Sequence, residues 1–586
     1  MSLKRTHKCG ELNASHAGQD VVVCGWVDNW RDHAGVFFVD LRDRYGRVQV
    51  VFSPENPPAF AAAQKFRSEY VLAVKASVAK RPENAINKEL STGEIELHVL
   101  EVEVLNASKT PPFPIKDYVD VSEDIRLTYR YLDLRRPALR DKILMRHKIA
   151  QLTREFFNGE GFIEVETPIL TKSTPEGARD FLVPSRLRER EFYALPQSPQ
   201  TYKQILMIAG LDRYYQIVKC FRDEDLRKDR QPEFTQIDVE MSFIDEDDIM
   251  SLMEKFVQKL FRQTIGAKIQ LPLPRHTYQD CMRRFGSDKP DTRFGHELCD
   301  LTPVFQGTEF RAFQSAASEG YIGGLYFPEA VAFSRKQTDD LIALAKSFGA
   351  KGLAWMKYQD GAFDGGISKF ISDAEKSRLV EQVGMASNGL LLIVSDENVE
   401  LAQTVLGVIR NRLAAELNLI DESKLALHWT VDFPMLEYSP DEDRYVARHH
   451  PFTSPKPEDM GYIDSAPEKA RARAYDLILN GNEIAGGSIR IHTREMQEKV
   501  FSALKLTPEE ARAKFGFLLD ALSFGAPPHG GIAFGFDRLV MLLSGSSSIR
   551  DVIAFPKTAS AMGLMENTPS EVDEAQLKEL NIRLIH

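Results

Sequence analysis

The 586-residue chain has no run of 18 apolar residues, no Cys-x-x-Cys pair and no Gly-x-x-x-x-Gly-Lys-Ser/Thr segment. The first absence argues against a membrane-spanning helix, the second against a zinc or disulfide framework, and the third removes support for a P-loop nucleotide site. Cys9, Cys24, Cys220, Cys281 and Cys299 are odd in number and fit a reduced compartment. The N-terminus, MSLKRTHKCG, lacks an apolar signal core, so a cytoplasmic protein is expected. Positive charge is also short: 74 Lys and Arg stand against 85 Asp and Glu, a net charge of −11 that argues mildly against a general nucleic-acid binder.

What is present suits a globular protein of several domains, with 43% hydrophobic and 27% charged residues. The acidity is unevenly spread. Residues 1–108 carry 13 basic and 14 acidic side chains, and between Arg126 and Lys148 eight Lys or Arg face two Asp. That local surplus suits either an RNA backbone or a solvated helix face.

Residues 221–240 read FRDEDLRKDRQPEFTQIDVE. The apolar runs Tyr214 to Arg222 and Phe234 to Phe243, joined by a charged loop, predict an antiparallel hairpin. On strands, residues two apart share a face, so Arg222 would point with Glu224, and Asp238 with Glu240. The pattern fits a nucleotide site or a solvated acidic edge equally well. Downstream, GGIAFGFDRLVMLLSG is a Gly-rich strand followed by Asp537-Arg538 opening an apolar helix. Glycines admit a ligand close to the backbone and an Arg at a helix start can grip phosphate, although a tight strand-to-helix turn explains the same residues. Upstream, Leu144, Met145, Ile149, Leu152 and Phe156 have helical spacing ended by Gly159 and Gly161, and a strand over Phe162 to Glu166 stops before Pro168.

In this order the three segments resemble the three motifs of class II aminoacyl-tRNA synthetases. QSPQTYKQ at 197–204, CFRDEDLRKDRQPEFTQIDVE from 220, RHHPFTSP at 448–455 and GGSIRIH at 486–492 are similar to bacterial aspartyl-tRNA synthetases, a likeness that runs from residue 1 to about 560. The expected fold class is therefore multidomain α+β: an N-terminal OB-fold β-barrel, a class II antiparallel-sheet catalytic core and an α/β insertion domain. Strands near 21–28, 35–42, 46–52, 70–80 and 94–104, with a helical 57–69 between the third and fourth, suit a five-stranded OB barrel. The implied domains are an anticodon-binding barrel at 1–108, a Pro-rich hinge at 109–140 and a first part of the core at 141–294. A bacterial-type insertion at 295–420, a second part of the core at 421–556 and a C-terminal extension at 557–586 complete the chain. About 290 residues separate the second and third motifs, too many for one connection.

The resemblance implies aspartate–tRNA ligase activity with ATP as substrate and Mg²⁺ as cofactor. Aspartate is activated to aspartyl-adenylate and then transferred to a tRNA terminal ribose. Catalytic roles fall to Arg222, Glu224 and Arg538, with Arg222 on both the substrate carboxylate and the α-phosphate. Aspartate would be held by Glu176, Gln200, Lys203, Arg222, Asp238, His449 and Arg490, with Asp238 on the ammonium and Arg490 in a bidentate grip on the side-chain carboxylate. Two neighbouring histidines seldom converge on one ligand, so the pair at 449–450 is weak evidence on its own. ATP would be held by Arg222, Glu224, Gln231, Phe234, Glu483, Gly535, Phe536, Asp537 and Arg538, with Phe234 under adenine and Arg538 on the γ-phosphate. Asp476 and Glu483 are seven apart, two turns if that segment is helical, and would share Mg²⁺ unless they are surface carboxylates.

On the barrel, Phe38 would stack on the anticodon while Arg31 and Gln49 hydrogen-bond to it; read alone, Phe38 in the apolar run Val36 to Val39 is more often core. By the resemblance His33 and Asn84 take positions associated with choosing between tRNA-Asp and tRNA-Asn; relaxed members carry His at the first and a small residue at the second, and this chain matches that pattern only at His33, which favours relaxed specificity. The resemblance also implies a homodimer through the first-motif helix and strand. Asparaginyl- and lysyl-tRNA synthetases share the barrel and core, but Arg490 with Lys203 suits neither substrate. A catalytically dead RNA-binding relative is the rival from another class, and retention of every motif residue argues against it.

Overall fold

From Asp20 onward burial alternates along the strand, with Val21, Val23 and Val27 turned inward, and that alternation builds five strands into a closed barrel. The strands are β1 (Asp20–His33), β2 (Val36–Asp43), β3 (Gly46–Phe52), β4 (Val71–Lys80) and β5 (Ile95–Asn106), in the order β1-β2-β3-β5-β4. The computed structural model describes residues 2–174, 178–226, 229–440 and 442–585. Inward residues Val23, Val39, Leu41, Val50, Leu72 and Leu97 fill the barrel core. The intervening helix, α1 (Pro57–Ala63), is shorter than expected. Asn56 caps its start, and its continuation gives way where Phe66 turns inward onto Phe52. Phe37 and Val39 are buried whereas Phe38 is only partly covered, so period-two alternation overrides the apolar run.

The chain forms two units, Met1–Leu144 with Arg550–Glu571 and Met145–Ile549 with Val572–His586. The helix α2 (Pro137–Gly159) begins seven residues earlier than its apolar spacing indicated, because Pro137 is tolerated in a first turn. The strand expected at Phe162 to Glu166 shrinks to β6 (Ile163–Glu164). Most of the basic surplus between Arg126 and Lys148 is consumed by internal ion pairs. Arg126, Arg130 and Arg136 converge on the fully buried Asp133, Arg135 pairs with Glu69, Lys142 with Asp551 and Arg146 with Asp537. An RNA-facing stripe there is replaced by structural pairing.

The second unit is built on an eight-stranded sheet. Its remaining members are β7 (Arg213–Phe221), β8 (Glu233–Ser242) and β9 (Arg275–Thr277), followed after the insertion by four more strands. With the insertion strands β10 (Cys299–Asp300), β11 (Tyr321–Phe327), β12 (Ala354–Gln359), β13 (Ala362–Asp364) and β14 (Gly389–Asp396) numbered between, those four are β15 (Leu427–Val431), β16 (Ala474–Leu479), β17 (Asn482–Ile489) and β18 (His529–Gly535). The sheet order is β9-β15-β16-β17-β18-β8-β7-β6, antiparallel except at its two edge pairs. The helices α3 (Gln200–Ile208) and α4 (Tyr278–Phe285) flank it, and the last strand runs directly into a helix, Phe536–Leu543. The insertion is a five-stranded antiparallel sheet, β10-β11-β14-β12-β13, with an apolar core on each face. Its long helix α5 (Val399–Glu416) packs on one face. Among the described residues no helix is long and apolar enough to cross a membrane.

One buried group sets a pH dependence. His428 on β15 is 2% exposed, and neither ring nitrogen has a hydrogen-bond partner among the described residues. Burial, and then the neighbouring His276, push its imidazole down to about 4. Below the ordinary histidine value the unfolded chain takes up a proton that the folded chain refuses, so acid favours unfolding. Between pH 7 and 5 the wild-type chain should lose about 2 kcal/mol at this residue alone. Thermal unfolding of His428→Leu at both pH values should show a correspondingly smaller acid shift; an equal shift would mean that the ring titrates normally when folded.

Candidate active site

Strand alternation brings the charged residues together. Asp238 and Glu240 project from one face of β8, Ser488 from β17 with Arg490 just beyond its end, and Lys203 from α3. Lys203 Nζ lies 2.7 Å from Asp238 Oδ1 and 3.3 Å from Glu240 Oε2. Arg490 donates from Nε to Glu240 Oε1 at 2.9 Å and from Nη2 to Oε2 at 3.1 Å. Its Nη1 reaches Ser488 Oγ at 2.6 Å and His450 Nε2 at 2.5 Å. All four charged residues are at most 2% exposed. Burial raises the Asp238 carboxyl despite Lys203, whereas for Glu240 the opposing pull of Arg490 and Lys203 overcomes burial and holds its carboxyl low. Room for Glu240 is made by Gly531 on β18, where a Cβ would stand 1.8 Å from Glu240 Oε2.

A cavity of about 410 Å³ opens onto this network. Four buried polar atoms of its lining residues have no hydrogen-bond partner among the described residues: Asp238 Oδ2, Arg222 Nε, His449 Nδ1 and Asp476 Oδ1. Buried polar atoms are seldom left unsatisfied, and one acceptor beside one guanidinium donor matches an ammonium and an acidic oxygen. Gln200 and Lys203 also line the cavity, as do both His449 and His450, so the histidine pair converges after all. Burial and the adjoining Arg490 keep the His450 imidazole far below its ordinary value and hence neutral.

A second cavity, about 230 Å³, shares Arg222, Gln236, Glu483 and Ala533 with the first. Glu224, Gln231, Phe234, Gly535, Asp537 and Arg538 complete much of its wall. The Arg222 guanidinium stands 5.1 Å over the Phe234 ring. Arg222 and Glu224 meet here although β7 ends at Phe221, so strand alternation is not what joins them. Arg538 donates to the Glu483 carbonyl at 2.6 Å and pairs with Asp229, which ties the helix start to the neighbouring strand. Asp537 turns its oxygens to Arg146 and to the Thr235 N–H, and Phe536 is buried beneath Arg146 without lining the cavity.

Asp476 and Glu483 lie on the hairpin of β16 and β17, not on a helix. Both carboxylates crowd over Gly486, where a Cβ would be 2.7 Å from Asp476 Oδ1 and 3.4 Å from Glu483 Oε1. Burial and then the Asp476 charge raise the Glu483 carboxyl. Such a pair, with one orphaned oxygen, fits a hard cation that completes its shell with phosphate oxygens. No group of three or more metal-ligating side chains is assembled among the described residues.

Glu176 lies outside the described residues. On the barrel, Arg31, Phe38, Asp40 and Gln49 occupy neighbouring positions on the outer face. Arg31 Nη2 contacts Asp40 Oδ1 at 3.1 Å and Gln49 Oε1 at 3.3 Å, and Gln49 Nε2 donates to Glu96 at 3.1 Å. His33 ends β1 and Asn84 sits in the turn Glu83–Ala85, both exposed. Sequence reasoning missed Glu240 as the partner of Arg490, and it missed His450 and Ser488. The shared face of Asp238 and Glu240 was the available signal for the first; for the other two only the fold brings the strands together.

The family model described as tRNA synthetases class II (D, K and N) matches residues 122–559, and one for the OB-fold nucleic acid binding domain matches residues 21–105. A protein named Aspartate--tRNA(Asp/Asn) ligase from Natranaerobius thermophilus is 54% identical over 583 residues, covering 99% of this chain and 100% of that protein. One of the same name from Desulfatibacillum aliphaticivorans is 53% identical, covering 100% of this chain and 98% of that protein. Among solved structures, asparaginyl-tRNA synthetase from Pyrococcus horikoshii complexed with asparaginyl-adenylate aligns with a TM-score of 0.60 at 19% identity, covering 95% of this chain and 99% of that one. Aspartyl tRNA synthetase from Entamoeba histolytica aligns at 0.57 and 19%, covering 95% and 92%. At these identities the structural likeness speaks for the fold.

Proposed function

This chain belongs to the class II tRNA synthetases of the D, K and N group, and on that premise we propose that it is an aspartate–tRNA ligase that charges both tRNA-Asp and tRNA-Asn. The observation that carries the choice of amino acid is the buried charge set. The buried cations Lys203 and Arg490 stand with the carboxylates of Asp238 and Glu240, and the half-buried Arg222 adds a third cation on the side where the substrate carboxylates would lie. The substrate ammonium goes to Asp238 Oδ2. The side-chain carboxylate goes to Arg490, with Lys203 as the second cation. Glu240 already occupies the Nε–Nη2 edge of Arg490, and Nη1 donates to His450 and Ser488, so the substrate is met by the remaining Nη2 hydrogen, not by the whole guanidinium fork.

The α-carboxylate then faces Arg222, the cation common to both cavities. In the first step a carboxylate oxygen forms a bond to the α-phosphorus of ATP while the bond to the bridging oxygen breaks, releasing pyrophosphate. In the second, a terminal ribose hydroxyl of tRNA attacks the acyl carbon, loses its proton, and AMP leaves. Arg222 offsets charge on the α-phosphate and fixes the reacting groups, which is how such a site lowers the barrier. Phe234 and Gln231 receive the adenine side of the second cavity, and Glu224 and Arg538 lie on its wall. Asp476 and Glu483 would hold Mg²⁺, which supplies charge neutralisation on the triphosphate. Cytoplasmic location and a homodimer built through α2 and β6 belong to the same reading.

Asparagine presents an NH₂ to donors, and this mismatch gives discrimination without a separate editing site. Arg490→Leu should reduce aspartate-dependent ATP–pyrophosphate exchange by at least about 10³-fold while ATP binding persists, the loss expected when a buried charge partner is removed. Exchange near the wild-type level would refute the assignment.

On the barrel, Phe38→Ala should weaken tRNA aminoacylation by about tenfold, as for loss of one stacked base, and leave adenylate formation unchanged. Equal losses in both assays would remove Phe38 from anticodon recognition. Relaxed tRNA choice has its own test: purified tRNA-Asn and labelled aspartate should yield acid-precipitable product, and none would restrict the enzyme to tRNA-Asp.

A further inference from the structure

The insertion helix α5 reaches the rim of the substrate cavity. Glu400, in its first turn, accepts a hydrogen bond from Tyr278 OH at 2.7 Å and lies 3.3 Å from Arg448 Nη2. The Arg448 guanidinium is stacked 4.5 Å over the Tyr278 ring. Tyr278 packs on Phe433 at 5.5 Å, and Phe433 meets the edge of the His449 ring at 4.8 Å. Phe433, Arg448 and His449 all line the cavity; His449 Nε2 lies 3.8 Å from Asp476 Oδ1, and its Nδ1 is buried with no hydrogen-bond partner among the described residues. Further along the same helix, the buried Arg410 donates to the carbonyls of Asp291, Phe294, Gly295 and His296, and so grips the connector that carries Asp288 into the cavity wall.

We propose that the insertion is a positioning device for amino-acid activation, with Glu400 setting Arg448 and, through Tyr278 and Phe433, the His449 ring. An isolated, half-exposed ion pair would contribute little. Here one carboxylate serves both a buried phenol and a cavity-lining guanidinium, and each of them is packed against the next group inward. Loss of Glu400 leaves the Tyr278 hydroxyl without that acceptor and Arg448 with its stacking on Tyr278 and, among the described residues, the ion pair to Glu437 at 3.1 Å. The contacts end on the aspartate-side cavity and not on Gln231, Phe234 or Gly535; His449 Nε2 also lies 3.8 Å from Asp476 Oδ1, so the larger effect should fall on aspartate and a smaller one on ATP.

The proposal rests on the aspartate-activating reading, and one set of full-length variants tests the two separately. In ATP–pyrophosphate exchange, Glu400→Ala should raise KM for aspartate about fivefold, a size usual for coupling through packed side chains, with a smaller change in KM for ATP and the unfolding temperature nearly unchanged. The double variant Glu400→Ala/Arg448→Ala should be less impaired than the product of the two single losses, because the two residues share one of the routes inward. Tyr278→Phe, which deletes only the hydroxyl, should shift the aspartate KM in the same direction and carries the test if Glu400→Ala folds poorly. Phe348→Ala, at an exposed site of the insertion, should behave as wild type. An unchanged aspartate KM in both Glu400→Ala and Tyr278→Phe, or multiplicative losses in the double variant, would overturn the positioning role while wild-type exchange continues. Absence of aspartate-dependent exchange in the wild-type chain would instead sink the reading beneath it, and the proposal with it.

Discussion

Two cations and two carboxylates buried side by side are costly, and Lys203, Asp238, Glu240 and Arg490 persist in the interior only because each completes another. Their pairing dictates much around them. It needs alternate positions of β8 to carry acids where a core strand would carry valine, and α3 to aim a lysine at the sheet. It also needs glycine at 531, since any side chain there would occupy the space of the Glu240 carboxylate. A hydrophobic core of the same shape would be cheaper in free energy. Conformational certainty at the point where a charged substrate must be read is what the charges supply.

That network also explains what was legible in the sequence and what was not. The hairpin over 213–242 and the Gly-rich strand before Asp537 were readable because apolar runs and their punctuation are local properties. The face shared by Asp238 and Glu240 followed from strand periodicity. Its purpose did not, because Glu240 meets Arg490 across 250 residues and a strand pairing that no local pattern encodes. For the same reason His450 was hidden behind its neighbour, and the spacing of Asp476 and Glu483 made them partners only on the condition of a helix, whereas a two-strand hairpin brings them together. The basic stretch before α2 erred in the other direction. Composition counted its charges, but only the fold shows Asp133 and its other partners already neutralising them.

The fold by itself leaves the amino acid undecided. Solved asparaginyl- and aspartyl-tRNA synthetases align with this chain at TM-scores of 0.60 and 0.57, a difference too small to separate two substrates. Aspartate and asparagine are nearly the same shape, so packing cannot separate them either; only charge can. A single arginine would be a poor instrument, because a free guanidinium can turn to accept many partners. Glu240 removes that freedom by holding the Nε edge, and Ser488 and His450 fix the remaining nitrogen. On the proposed reading, Arg490 therefore has one orientation before the substrate arrives, and Lys203, paired with the same Glu240, adds the second charge that would penalise a neutral group. Specificity then depends less on how many charges line the cavity than on how few directions each can face, and a carboxylate that never touches the substrate decides this for Arg490.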